Sequence, residues 1–119
     1  MDKLDEIFRL QEAFDSDLAR RRGLSFGFEE WIQKEALAIV AEIGELLDEV
    51  NFKWWKNPRE VDREKVTEEL VDILHFFIGA CLRAGLDADA LYRAYVGKNR
   101  ENFRRQDGLS LREGYRSPD

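Results

Sequence analysis

Apolar residues recur at helical spacing through most of this chain, and no stretch shows the alternation of a strand. Leu4, Ile7, Phe8, Leu10, Phe14 and Leu18 predict a first helix over residues 3 to 20. Arg20, Arg21 and Arg22 follow, where basic groups complement the negative end of a helix, and Gly23 suits the C-cap. A second helix is expected from Phe28 to Phe52, with Ile32, Ala36, Ile39, Ile43, Leu46 and Val50 as its stripe. Glu35, Glu42, Glu45 and Glu49 run along the flank of that stripe, where they can face a neighbouring helix. A third helix, Glu64 to Ala84, is apolar nearly all round between Leu70 and Leu82, so it reads as buried rather than amphipathic. Gly85 stops it and Asp87 caps a fourth, Ala88 to Gln106.

Residues 51–60, NFKWWKNPRE, fit no helical period. Asn57, Pro58, Arg59 and Glu60 have the order of an N-cap, a first-turn proline and a capping-box acid, which predicts a short helical turn. The tail, residues 107–119, is polar with scattered glycines and is expected to be irregular or mobile. The pattern therefore predicts one all-α domain over residues 1–119, its four helices arranged like a four-helix bundle.

Two pairs of acids are set into that apolar framework. Glu42 and Glu45 form one, Glu69 and Asp72 the other, and i, i+3 spacing puts each pair on one helix face. Acidic pairs are common on solvated faces, but the second pair lies in a run too apolar to be one. Carboxylates there are costly unless a cation meets them. Four carboxylates on two facing helices make an oxygen-rich cage suited to Mg²⁺ or Mn²⁺ rather than zinc.

Composition narrows the remaining possibilities. A net charge of -6 argues against nucleic-acid binding, which needs a basic face. The single cysteine, Cys81, lies among apolar helix residues and reads as an inert core side chain. The longest apolar run, Ile73 to Leu82, contains His75 and is too short to span a bilayer. The first residues, MDKLDEIF, lack a signal-peptide layout, which leads us to expect a cytoplasmic protein without membrane association. Trp54 and Trp55, beside Lys53 and Lys56, suit either a pocket for a base and its phosphates or a helix end packed on the core.

EIGEL, EELVDILHFF and KNRENFRRQ, in that order, resemble the all-α NTP pyrophosphohydrolases, and most closely the dimeric dUTPases, relatives of the MazG-like enzymes. The resemblance runs from Gln11 to Tyr115. It implies Mg²⁺-dependent hydrolysis of dUTP to dUMP and pyrophosphate by a homodimer, with Glu42, Glu45, Glu69 and Asp72 as metal ligands. It also matches Gln11 to a base-reading glutamine, Trp55 or Trp54 to the pocket rim, and His75 and Phe76 to the nucleoside contact. Lys98, Asn102 and Arg105, filled out by Asn99 and Gln106, match the phosphate-binding motif, and Gly114 with Tyr115 the closing GY. Extra helices usual in the family are missing here, and the interval before Gly114 is stretched. Metal ions can neutralise a triphosphate and position water. Lys98 and Arg105 can stabilise leaving pyrophosphate, and Glu45 or Glu49 can accept the water's proton. A broader MazG-like (d)NTP or dCTP pyrophosphohydrolase, and a non-enzymatic helical interaction module with structural acids, are the competing readings.

Overall fold

The computed structural model describes residues 1–108 and 114, and every regular element among them is an α-helix. In chain order these are α1 (Lys3–Arg22), α2 (Phe28–Glu49), α3 (Arg63–Arg83) and α4 (Ala88–Gln106). Tyr115 and most of the tail lie outside the described residues. None of the helices is long and apolar enough to cross a membrane.

Local chemistry sets the helix ends. Asp2 accepts from Asp5 N at 2.8 Å and Asp5 reaches back to Asp2 N, a reciprocal capping box. Gly23 closes α1 in the left-handed region at φ 64°, where a Cβ would be strained. Asp62 caps α3 by accepting from Glu64 N at 3.0 Å, and Asp87 caps α4 by accepting from Ala90 N at 2.7 Å.

Two expectations fail between α2 and α3. The second helix stops at Glu49 instead of running to Phe52, and the turn expected at Asn57–Glu60 is not helical. Asn51 explains both. It adopts φ 58°, which ends the helix, and its side chain claims Arg59 from both sides. Arg59 N donates to Asn51 Oδ1 at 2.8 Å, and Asn51 Nδ2 donates to Arg59 O at 2.8 Å. With both backbone groups of Arg59 engaged, that residue is unavailable to a helical turn.

The chain divides into two compact units, Met1–Gly85 and Leu86–Asp119. In the first, α3 is the central helix, packing along α2 and against α1. Phe8, Ile78 and Cys81 are its buried apolar residues, and Cys81 takes the core position expected of it. The apolar girth of α3 is nevertheless not buried within one chain. Leu70, Val71, Leu74 and Phe77 remain between 41% and 52% exposed, because α1 and α2 cover only part of the helix. In the second unit α4 carries exposed Tyr92, Tyr95 and Phe103.

Candidate active site

Packing of α2 against α3 brings acids from both expected pairs together. Glu42, Glu69 and Asp72 each offer a carboxylate oxygen, and these atoms lie within 4.8 Å of one another. Glu42 Oε2 and Glu69 Oε2 are buried without a hydrogen-bond partner. The Glu69 carboxyl is pushed up to about 7, first by desolvation and then by Glu45 and Glu42. Glu42 is raised as well, again by desolvation first and then by Glu45. Like charges at this spacing disfavour joint ionisation, and hard oxygen donors with unused lone pairs fit a divalent cation. Glu45 thus bears on the cluster electrostatically from an exposed position outside the trio, and Glu49 stands apart from it.

Glu42 and Asp72 also line one end of a cavity of about 530 Å³ formed by α1, α2 and α3. Gln11, Asp15, Trp31, Glu35, His75, Phe76 and Arg83 form much of the remaining wall. Gln11 is only 7% exposed, and both ends of its amide are engaged. Its Nε2 donates to Asp15 Oδ1 at 2.8 Å, and its Oε1 accepts from His75 Nδ1. Each end of a carboxamide has two hydrogen-bonding sites, so one donor and one acceptor remain unspent.

Asp15, Trp31, Gly79 and Arg83 were not singled out from the sequence, and Glu35 only as a flanking acid. A Cβ at Gly79 would stand 3.1 Å from both Glu35 carboxylate oxygens and 3.2 Å from Asp15 Oδ2. The missing side chain is what lets two acids, from α1 and α2, close on α3. Desolvation raises the pKa of both; the Asp15 charge raises Glu35 further, while Arg83 pulls both downward. Arg83 stacks over Trp31 at 3.6 Å from the ring centre. A periodicity signal existed for these residues: Asp15 lies one turn beyond Gln11, and Arg83 one turn beyond Gly79.

The other expected site residues lie elsewhere. Trp55 sits on the loop after α2, 59% exposed, edge-on to Trp54 at 4.6 Å and to Phe52 at 6.2 Å. It does not line the cavity; Phe52, Lys53, Lys56 and Arg59 instead help to form a separate pocket of about 410 Å³. Lys98, Asn99, Asn102 and Gln106 are exposed on α4. Arg105 pairs with Glu101 at 3.3 Å and donates to Asn102 Oδ1 at 3.4 Å on the same helix.

Comparison with known proteins identifies the family. A family model described as dUTPase matches residues 3–83, which takes in α1, α2 and α3. A dCTP pyrophosphatase of Enterobacteria phage LZ5 is 30% identical over 99 residues, covering 83% of this chain and 58% of the relative. A dCTP pyrophosphatase of Enterobacteria phage T4 is 39% identical over 46 residues, covering 39% of this chain and 27% of that protein. The chain thus spans less than two thirds of the length of either relative. No solved structure matches.

Proposed function

We infer the activity from one premise: the chain belongs to the dUTPase family. The proposal is a nucleotide pyrophosphohydrolase that converts a pyrimidine deoxynucleoside triphosphate and water to the monophosphate and pyrophosphate. The observation that carries it is the joining of Glu42, Glu69 and Asp72 at the end of a cavity large enough for a nucleoside. Uracil is the base that the family's description indicates, as the sequence suggested. Cytosine is the second reading, supported by the two phage relatives, both dCTP pyrophosphatases by name.

Glu42, Glu69 and Asp72 are the proposed ligands of a divalent cation, Mg²⁺ or Mn²⁺, with Glu45 at their edge. Bound there, the ion supplies charge neutralisation for the triphosphate. Water attacks the α-phosphorus, the bond from that phosphorus to the bridging oxygen breaks, and pyrophosphate leaves. Glu45 or Glu49 takes the water's proton, and phosphate binding is the role that the resemblance gives Lys98, Asn102 and Arg105. Gln11, His75 and Phe76 hold the nucleoside; Trp55, which the resemblance matches to the rim, does not line this cavity.

A homodimer belongs to the same proposal. Exposed Ile7, Leu10, Phe14, Val71 and Leu74 line an apolar groove on α1 and α3, which a second copy would cover. Light scattering should return twice 14.0 kDa; a monomer with full activity would refute this part. The setting proposed is the cytoplasm, where free nucleotides are available. A pyrophosphate-release screen over all dNTPs and NTPs with Mg²⁺ tests the activity. Release confined to dUTP or dCTP supports it, release from many triphosphates favours the broader MazG-like enzyme, and no release leaves only the interaction module.

A further inference from the structure

Glu35 is 8% exposed, yet no hydrogen bond or ion pair found among the described residues reaches its carboxylate. Asp15 Oδ2 beside it is buried and equally without a partner. The two groups meet over Gly79 at one end of the cavity, and Arg83, its guanidinium carbon 3.6 Å from the centre of the Trp31 ring and its Nε unpartnered, makes no hydrogen bond to either and acts on both through its charge. A buried acceptor left unmatched, as Asp15 Oδ2 is, is costly, and here it borders open space. The cationic donors nearby are turned to other partners, Lys34 to Glu30 and the Phe26 ring and Arg83 to the Trp31 ring, and neither makes a hydrogen bond to Glu35 or Asp15 Oδ2.

The position of this end of the cavity relative to the acid trio defines what should supply a donor. Glu35 precedes Glu42 by seven residues on α2, and Gly79 follows Asp72 by seven on α3. Seven residues are two helical turns, so the two ends of the cavity are about 10 Å apart along both helices. A nucleotide with its phosphates at the trio would carry its base toward Glu35 and Asp15. Uracil presents O4 at its outer edge, an acceptor that two carboxylates repel. Cytosine presents N4–H₂, two donors on one atom, and Asp or Glu is the side chain that accepts from it.

Resting on the nucleotide site proposed above, we propose that Glu35 and Asp15 read cytosine, each accepting one N–H of the exocyclic amine, so that the site selects dCTP over dUTP. Gly79 is then a specificity feature too, since a side chain there would occupy the space in which the acids converge.

Calorimetry with dCMP and dUMP on the full chain, without added metal, isolates base recognition from hydrolysis. The expected result is at least tenfold tighter binding of dCMP, falling to threefold or less in Glu35→Met, with Asp15→Asn moving the ratio the same way. Equal affinities in the unmodified protein overturn the proposal without any variant being needed. So does a ratio that Glu35→Met leaves unchanged. Pyrophosphate release from dCTP is measured separately. A dCMP preference without release refutes the hydrolase reading and leaves base reading standing; release without that preference refutes only base reading.

Discussion

Replacing Gly79 by alanine tests the close approach of Glu35 and Asp15 to α3, and Gly44 provides its control. Both glycines lie inside helices, so each alanine gains about 1 kcal/mol of helix propensity. At Gly44 nothing lies within 4 Å of the new methyl, and the full gain should appear. At Gly79 the methyl would stand 3.1 Å from two Glu35 oxygens and 3.2 Å from Asp15 Oδ2, inside ordinary carbon–oxygen contact. Glu35 can yield only toward the like charge of Asp15 or out into the cavity. Overpacking of this kind costs about 1–3 kcal/mol, so Gly79→Ala should end between neutral and about 2 kcal/mol less stable. The two variants should therefore differ by about 1–3 kcal/mol. Urea unfolding at one protein concentration measures this: with m of about 1–3 kcal/mol per molar, the midpoints separate by about 1 M. A Gly79→Ala midpoint equal to or above that of Gly44→Ala, at unchanged m, would refute the close convergence of the two acids on α3.

Three other outcomes are expected. The Glu69 carboxyl is raised from 4.5 to about 7 in the folded chain, so folding takes up a proton between those values; metal-free Tm should rise as pH falls from 8 to 5, and a flat profile would count against the acid cluster. Asp72→Asn should abolish Mg²⁺ binding in titration calorimetry while the helical circular dichroism persists, and metal-free Tm should hold or rise as repulsion is relieved; retained Mg²⁺ affinity would exclude Asp72 as a ligand. Gln11→Ala leaves His75 and Asp15 without their shared partner, and should lower kcat/KM by roughly ten- to a hundredfold, on the scale of one or two buried hydrogen bonds; undiminished turnover would make Gln11 purely structural.

Periodicity and end chemistry made the helices legible, because Gly23, Gly85 and Asp87 act on their immediate neighbours. The acid pairs were legible for a related reason: acids embedded in an apolar run conflict with their surroundings and so stand out. Asp15 and Glu35 gave no such contrast, since each reads as one more acid on a polar helix flank. Their meaning depends on α1 and α2 meeting at Gly79, a tertiary fact that no single helix encodes. The loop was misread because Asn57 and Pro58 carry a local helix-start signal that Asn51, eight residues before Arg59, overrides. The girth of α3 was legible as apolar, but how much of it α1 and α2 leave exposed depends on packing that the pattern of one helix does not encode.

The amide of Gln11 also dictates which face of an imidazole the cavity meets. Asp15 can only accept at Oδ1 when ionised, which orients the Gln11 NH₂ toward it and turns the carbonyl toward α3. His75 must then carry its hydrogen on Nδ1, and a neutral ring of that tautomer leaves Nε2 as a bare lone pair. A carboxylate on α1 thereby selects, through one intervening amide, the tautomer of a ring on α3. Any visitor that meets Nε2 of the neutral ring is asked to bring a proton donor, and the request originates two residues away, at Asp15.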